Sequence, residues 1–307
     1  MDRIDSLEIF TKVVAARSFS GAARELRLSQ AAVSKHVREL ESWLGARLLN
    51  RTTRRLSVTE VGLLVYERCG RILNDIEELQ HEANVLHAAP RGLLRVAAPV
   101  SMGATHLGPV IADYLALYPE VSVELVVNDR TVDLIEEGFD LAIRIGPLQD
   151  SSLRARRLAP IRFVLCASPA YVREHGEPRR PEDLEQHRCL VYTHRTPPGE
   201  WRFRGPDGPA TVRFSGRLRG NNGNFLCGAL RAGGGIGLAP TFLVHEDLAA
   251  GRLVPLLPGY EPDETQLSAV YPPGRAPTFK VRSLIDFLAE RFGPEPPWED
   301  WRSRRTG

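Results

Sequence analysis

The feature that most limits how this chain can fold is the placement of its prolines. All 23 lie from Pro90 onward, and residues 1–89 also hold only four of the 26 glycines. Proline lacks the N–H that a helix interior needs, and glycine loses the most backbone freedom on ordering. A head without the one and poor in the other is free to be almost wholly helical. A boundary follows at Pro90-Arg91-Gly92, where a differently built body begins. With 307 residues there is room for more than one domain.

Within the head, Ser18 to Gly45 reads as two short helices about a tight turn. Ser20 is a candidate N-cap for the first, which ends near Leu26, and Arg27-Leu28 forms the turn. Ser29 caps the second helix. Along it Val33, Val37, Leu40 and Leu44 recur at steps of four, three and four, one apolar stripe. Gln30, Ser34, Lys35 and Arg38 fall away from that stripe. Amide, hydroxyl and cationic groups on the free face of a buried helix suit the base edges of the DNA major groove, so the pair reads as a helix-turn-helix. Asp5 is a candidate cap for a preceding helix that sets Leu7, Phe10 and Val14 beneath it.

Two strand-like runs follow, Leu48-Leu49-Asn50 and Leu56-Ser57-Val58. Three arginines and two threonines, residues 51 to 55, stand between them. Arginine forks match phosphate oxygens, so this is a basic wing. The stretch from Arg24 to Arg55 carries a net charge of +5, and residues 1–60 carry +4 against −2 for the remainder. Double-stranded DNA is the expected partner. The candidate contacts are Ser20, Ser29, Gln30, Ala31, Ser34, Lys35, Arg38, Arg51, Thr52 and Arg54.

Thr59-Glu60-Val61-Gly62 opens a long helix that runs to about Ala88 and spans roughly 45 Å. Val65, Cys69, Ile72, Ile76, Leu79, Ala83 and Leu86 alternate at steps of four and three, the seam of a two-stranded coil and a candidate dimer contact. From Gly92 the pattern changes to strand, loop and helix. Strands are expected at Leu93–Ala98, Val121–Val127, Asp140–Ile145, Phe163–Ala167, Cys189–Tyr192 and Thr265–Tyr271. Helices are expected over Leu107–Tyr118, Thr131–Gly138, from Ser168, from about Asn221, and over Lys280–Phe292. The alternation predicts an α/β body with a mainly parallel, helix-covered sheet. Gly233 to Gly237 follows a helix and precedes a strand, the reverse of a nucleotide loop, and reads as a helix stop. Residues 294–307, with proline, tryptophan and arginine, read as a flexible tail.

Taken together, Phe10, Ala15, Ser18-Phe-Ser, Ala22-Ala-Arg-Glu-Leu, Leu28-Ser-Gln-Ala-Ala-Val-Ser, Leu40-Glu, Leu44-Gly, Leu48-Leu-Asn-Arg-Thr and Leu56-Ser-Val-Thr-Glu-Val-Gly resemble the N-terminal signature of LysR-type transcriptional regulators. The match is dense over residues 1–62. Many members carry proline or serine where this chain has Ala31, and all three suit a helix start. The resemblance implies a winged helix-turn-helix over 1–58, a linker and dimerisation helix over 59–89, and a periplasmic-binding-protein-like effector domain. Its first subdomain would be 92–165 plus 266–293, and its second 166–265. A homodimer or homotetramer, promoter DNA and a small-molecule effector in the cleft between the subdomains are implied as well.

Ligands of open α/β sheets sit beyond the carboxyl ends of the strands. That rule selects Ser101, Asn128 with Asp129, and Arg144 in the first subdomain, and Thr193, Asn222 and Thr241 in the second. Ser101 and Asn222 stand at helix starts, where backbone N–H groups attract anions, and Arg144 suits a carboxylate. The expected effector is therefore an organic or aromatic carboxylate.

Other functions find little support. The chain has no G-x-S-x-G, H-E-x-x-H or phosphate-loop motif, so no catalytic residue, metal site or cofactor is expected. Cys69, Cys166, Cys189 and Cys227 are scattered as in a reduced compartment. No basic start followed by an apolar run marks an export signal, and no stretch approaches the ~20 apolar residues of a membrane span. A cytoplasmic protein is expected. The alternative reading is a small-molecule-binding module without a DNA role.

Overall fold

The computed structural model of the chain describes residues 3–51, 56–83, 89–147, 153–195, 197–272 and 277–301. It comprises two units, Met1–Ala89 and Pro90–Gly307. The first contains α1 (Arg3–Ala16), α2 (Phe19–Glu25), α3 (Gln30–Leu44), the antiparallel pair β1 (Leu49–Arg51) and β2 (Leu56–Val58), and α4 (Glu60–Ala83). Phe10, Val13, Ala22, Val33, Val37, Leu40 and Leu48 are fully buried in its core. The α3 cap is as expected: the Ser29 hydroxyl accepts from the Ala32 N–H, and Gly45 closes the other end in the left-handed region at φ 66°. Glu41 of α3 then accepts from the N–H groups of Leu48 and Leu49, at 2.9 and 3.1 Å, so the helix holds the wing's first strand. Thr59 donates to the Leu48 carbonyl and accepts from the Gly62 N–H, joining that strand to the start of α4. A Cβ at Gly62 would overlap the Leu48 carbonyl oxygen, which is why glycine stands there.

Four expectations for this unit change. Asp5 lies in the first turn of α1 rather than at its cap, because the helix already includes Arg3. Ser18, not Ser20, caps α2: a cap hydroxyl serves the N–H three residues on, and Ser18 meets that of Gly21 at 3.2 Å. Leu44 is 39% exposed, since the stripe runs past the core where α3 ends. Cys69 is buried in the unit's own core, with Val65 and Leu73 packed beside it, so that part of the seam is taken up within the chain.

The second unit opens with β3 (Gly92–Ala98), α5 (Val100–Met102), a π-helical turn over Gly103–Leu107, α6 (Gly108–Leu117), β4 (Val121–Val127), β5 (Leu141–Ile145) and β6 (Arg154–Ile161). It continues with β7 (Phe163–Ala167), α7 (Pro169–His175), β8 (Leu190–Tyr192), β9 (Glu200–Gly205), β10 (Gly208–Arg213), β11 (Leu218–Gly220) and α8 (Gly223–Arg231). It closes with β12 (Gly237–Pro240), α9 (Thr241–Ala249), β13 (Val254–Pro255), β14 (Glu261–Pro262), β15 (Thr265–Tyr271) and α10 (Phe279–Phe292). One sheet runs β4-β3-β5-β15-β6; the chain between β6 and β15 builds smaller sheets, β12-β7-β13, β11-β8 and β10-β9-β14. The five-stranded sheet buries Leu94, Val96, Leu141, Ile143 and Leu267 against α6 and α10, with Tyr114, Leu284 and Leu288 opposite.

The large sheet is parallel only over β4, β3 and β5. β15 pairs antiparallel with both β5 and β6. β5 and β6 are therefore parallel to each other with β15 inserted between them, and β15 enters against both as the chain returns from the smaller sheets. The helix expected over Thr131–Gly138 is instead a set of turns. The Asp133 carboxylate accepts from the N–H groups of Ile135 and Glu136, and such local bonds compete with a helix. The turns still cover the sheet, with Val132, Leu134 and Phe139 buried on Ala97, Ala142 and Val270.

The tail expected to be flexible is packed as far as it is described. Trp298 is 1% exposed, its ring 4.7 Å from that of His106 and 5.3 Å from that of Phe292. Glu299 accepts from the buried Thr241 hydroxyl at 2.6 Å, and Trp301 is also buried. An indole needs a core to cover it, and this one is sealed by the tail. Trp298→Ala should destabilise the second unit by about 3–5 kcal/mol, the usual loss for a buried tryptophan. A denaturant titration checks this; an unchanged midpoint would return the tail to the surface.

Candidate functional site

The exposed face of α3 is set by what lies beneath it. At about 100° per residue, Gln30, Ala31, Ser34, Lys35 and Arg38 fall within an arc of roughly 140°, opposite Val33, Val37 and Leu40. Gln30, Ala31, Lys35 and Arg38 are exposed, and Ser34 is half-buried. Lys35 is held only loosely, 3.8 Å from Glu39 with its side chain 70% exposed. Ser29 is occupied as the cap, and Ser20 lies in the first turn of α2 with its hydroxyl 3.0 Å from that of Ser18. Arg51 ends β1, its side chain undescribed, and Thr52 and Arg54 lie outside the described residues. On α4, Ile72 is exposed and Ile76 is half-buried. The side chains of Leu79 and Ala83, and all of Leu86, lie outside the described residues.

A cleft of about 1130 Å³ opens in the second unit beside the ends of β3, β4 and β5. Ser101, Asn128 and Arg144 line it, as does Asp129. Thr193, Asn222 and Thr241 do not appear in its wall among the described residues. Thr241 is fully buried, donating to Glu299 and to the Arg162 carbonyl, so it is a structural hydroxyl rather than a ligand contact. The Thr193 N–H donates to the Gly220 carbonyl. Asn222 caps α8 through the Phe225 N–H at 3.1 Å and reaches Asp129 through its amide nitrogen at 3.4 Å. The other Asp129 oxygen accepts from the Val100 N–H at 3.0 Å. The far wall carries Phe163, Tyr192 and Arg195. Burial pushes the Tyr192 phenol up, and the carboxylate of Asp129 pushes it the same way. All four cysteines are free and buried; burial raises Cys69 and Cys227 to about 11 and Cys189 to about 12, so none is a ready nucleophile. No cluster of metal-ligating side chains occurs among the described residues.

Comparison with known proteins decides what this pairing of folds is. A family model described as "Bacterial regulatory helix-turn-helix protein, lysR family" matches residues 4–63, and one described as "LysR substrate binding domain" matches residues 87–293. The chain belongs to the LysR family. It is a DNA-binding transcriptional regulator with an effector-binding domain. The LysR regulator CrgA of Neisseria meningitidis is 37% identical over 290 residues, covering 94% of this chain and 97% of CrgA. DmlR of Escherichia coli is 36% identical over 295 residues, covering 96% of both chains. The solved structure of CrgA superposes with a TM-score of 0.61 over 93% of this chain and 97% of that one. Full-length AphB of Vibrio cholerae gives 0.59 at 28% identity, over 93% and 98%.

For this LysR regulator, strand-end reasoning located the cleft but not its far wall. Arg195 was missed because a strand end says where a loop begins, not which of its residues turns inward, and Phe163 because it stands at the start of β7, the end that the strand-end rule does not select. For Arg195 the signal was adjacency: it is two residues beyond Thr193. For the head, Lys35→Ala should weaken DNA binding about tenfold, a lost phosphate or base contact of roughly 1–3 kcal/mol, and leave the thermal midpoint unchanged. Ser29→Ala should instead cost about 1 kcal/mol of stability through the lost cap. Gel-shift titration beside thermal melting separates the two; equal affinities for Lys35→Ala and the parent would remove α3 from the interface.

Proposed function

We propose that the chain acts in the cytoplasm as a homodimer or homotetramer that binds promoter DNA through α3 and the β1–β2 wing, and that a small organic effector held in the cleft tunes this binding. The observation that carries the reading is the sorting of α3, apolar side buried and polar, cationic side open. Its contacts are Gln30, Ala31, Ser34, Lys35 and Arg38, joined by Arg51, Thr52 and Arg54 of the wing. The working divisions are residues 1–58 for DNA, 59–89 for pairing, 92–165 with 266–293 for one lobe of the cleft, and 166–265 for the other. Ser101, Asn128 and Arg144 contact the effector. No helix among the described residues is long and apolar enough to cross a membrane.

Pairing uses α4 on a strip turned from the one first expected. Val65 and Cys69 serve the chain's own core, whereas Val61, Leu64 and Ile72 are exposed on a neighbouring side of the helix. An apolar strip of this kind suits a partner helix. An effector changes the output only by binding one arrangement of the lobes better than another.

Two measurements test these assignments. The DNA association constant should fall steeply with salt, with a log–log slope of about −0.9 for each phosphate neutralised; a flat titration would count against a DNA interface of arginine and lysine. Ile72→Glu should weaken self-association at least about tenfold, since it places a charge in an apolar contact. Sedimentation at matched concentrations reads this, and an unaltered mass distribution would move the pairing surface elsewhere.

A further inference from the structure

Among the described residues the effector cleft proposed above contains three arginines, and they differ in what already holds them. Arg130 makes a two-pronged pair with Glu137, at 2.6 and 2.8 Å. Arg144 donates to the Val132 carbonyl at 2.9 Å. Arg195 lies over the face of Phe163, its guanidinium carbon 4.9 Å from the ring centre, and among the described residues no hydrogen bond or ion pair reaches that guanidinium. It is half-buried, and burial works against its charge. Asp263 partly offsets that cost from a distance, while Arg202 adds repulsion. A guanidinium stacked on a ring keeps its fork in one plane while its N–H donors stay free, the arrangement that receives a planar carboxylate.

The helix starts, which seemed the natural place for an anion, are already served. One oxygen of Asp129 accepts from the Val100 N–H at the start of α5, and the other from the amide of Asn222 at the cap of α8. The chain's own carboxylate thus fills the position between these ends. A second anion there would meet Asp129 at close range, and like charges so placed repel. The cleft wall also holds Asp133, Asp263 and Glu264 in addition to Asp129. A ligand with two carboxylates would turn one of them toward that wall. Near Arg195 the lining includes apolar Phe163 and Leu190 and the ring of Tyr192, and Asp263 is close enough to act on the guanidinium.

We propose, resting on the effector-cleft reading, that the ligand is a compact monocarboxylate with an apolar body, and that Arg195 rather than the helix starts holds its carboxylate. The apolar body lodges against Phe163, Leu190 and Tyr192. Asp129 has the opposite role: it satisfies the helix ends and excludes a second negative group.

The test uses the full-length chain, with isobutyrate, benzoate and phenylacetate as probes and their neutral amides and succinate as controls. Thermal shift screens them, and calorimetry measures the binders. At least one monocarboxylate should raise the melting temperature while its amide and succinate do not, because binding stabilises by mass action. Arg195→Gln should lower affinity at least about tenfold, Arg195→Lys should lower it less, and Asp129→Asn should admit succinate, which the parent rejects. Leu226→Trp, which fills the cleft from α8, should also abolish binding. Probe binding lost in Leu226→Trp but intact in Arg195→Gln and Arg195→Lys leaves the cleft reading standing and overturns the anchor. Binding intact in all of these variants moves the ligand out of the cleft altogether. Failure of all three carboxylates, or equal shifts from their amides, overturns the ligand class. Circular dichroism and the unfolding midpoint of each variant without probe show whether the effector domain still folds, and Arg195→Lys serves if Arg195→Gln does not fold.

Discussion

Burial of Val33, Val37 and Leu40 fixes which way α3 faces, and the DNA-binding half of the molecule depends on it. Each such side chain is worth about 1.5–3 kcal/mol when fully buried. Rolling the helix to hide Lys35 and Arg38 would lift all three into water. Nothing else has to hold the polar face outward; it is what the core leaves over. The wing inherits this orientation through Glu41, whose carboxylate accepts from the N–H groups of Leu48 and Leu49 where the first strand begins. Thr59 passes it to α4. One hydrophobic preference thus positions a helix, a hairpin and the root of a long helix.

Much of this was legible because its signals are local. A helix stripe repeats every three or four residues, and Ser29 and Gly45 mark both ends of α3 with side-chain chemistry. The residual errors are local too: Ser18 and Ser20 are both good caps, and the difference depends on which N–H ends up three residues away. In the body, legibility fell where tertiary contacts decide. Trp298 reads as part of a loose polar tail until the aromatic surface it covers, Phe242, Phe292 and His106, is brought together from three distant elements. The hairpin of β9 and β10 carries a local signal that no expectation used, Trp201 and Phe203 alternating with Arg202 and Arg204 ahead of Pro206-Asp207-Gly208. Asp133 melted an expected helix into turns that nonetheless cover the sheet with the same apolar side chains.

The cleft teaches a related lesson about charge. Positions at strand ends and helix starts are easy to nominate, yet what they offer a ligand depends on what the chain has already given them. Ser101, Asn128 and Arg144 do line the cavity, but Asp129 takes the first N–H of α5 and the side-chain amide of Asn222, Asn222 itself caps α8, and Val132 takes one prong of Arg144. Arg195, whose guanidinium meets no hydrogen-bond partner among the described residues, stands two residues beyond the position the strand-end rule nominated in the loop after β8.

The packed tail has a mechanical consequence. Trp298 is part of the core beneath the five-stranded sheet, whereas Trp301, three residues on, belongs to the core between β7, α8 and α9. Glu299, between them, grips the first residue of α9. The end of the chain therefore acts as a rivet through both halves of the effector domain. Any shift of one half against the other has to disturb the packing of Trp298 or Trp301 or break the Glu299–Thr241 bond.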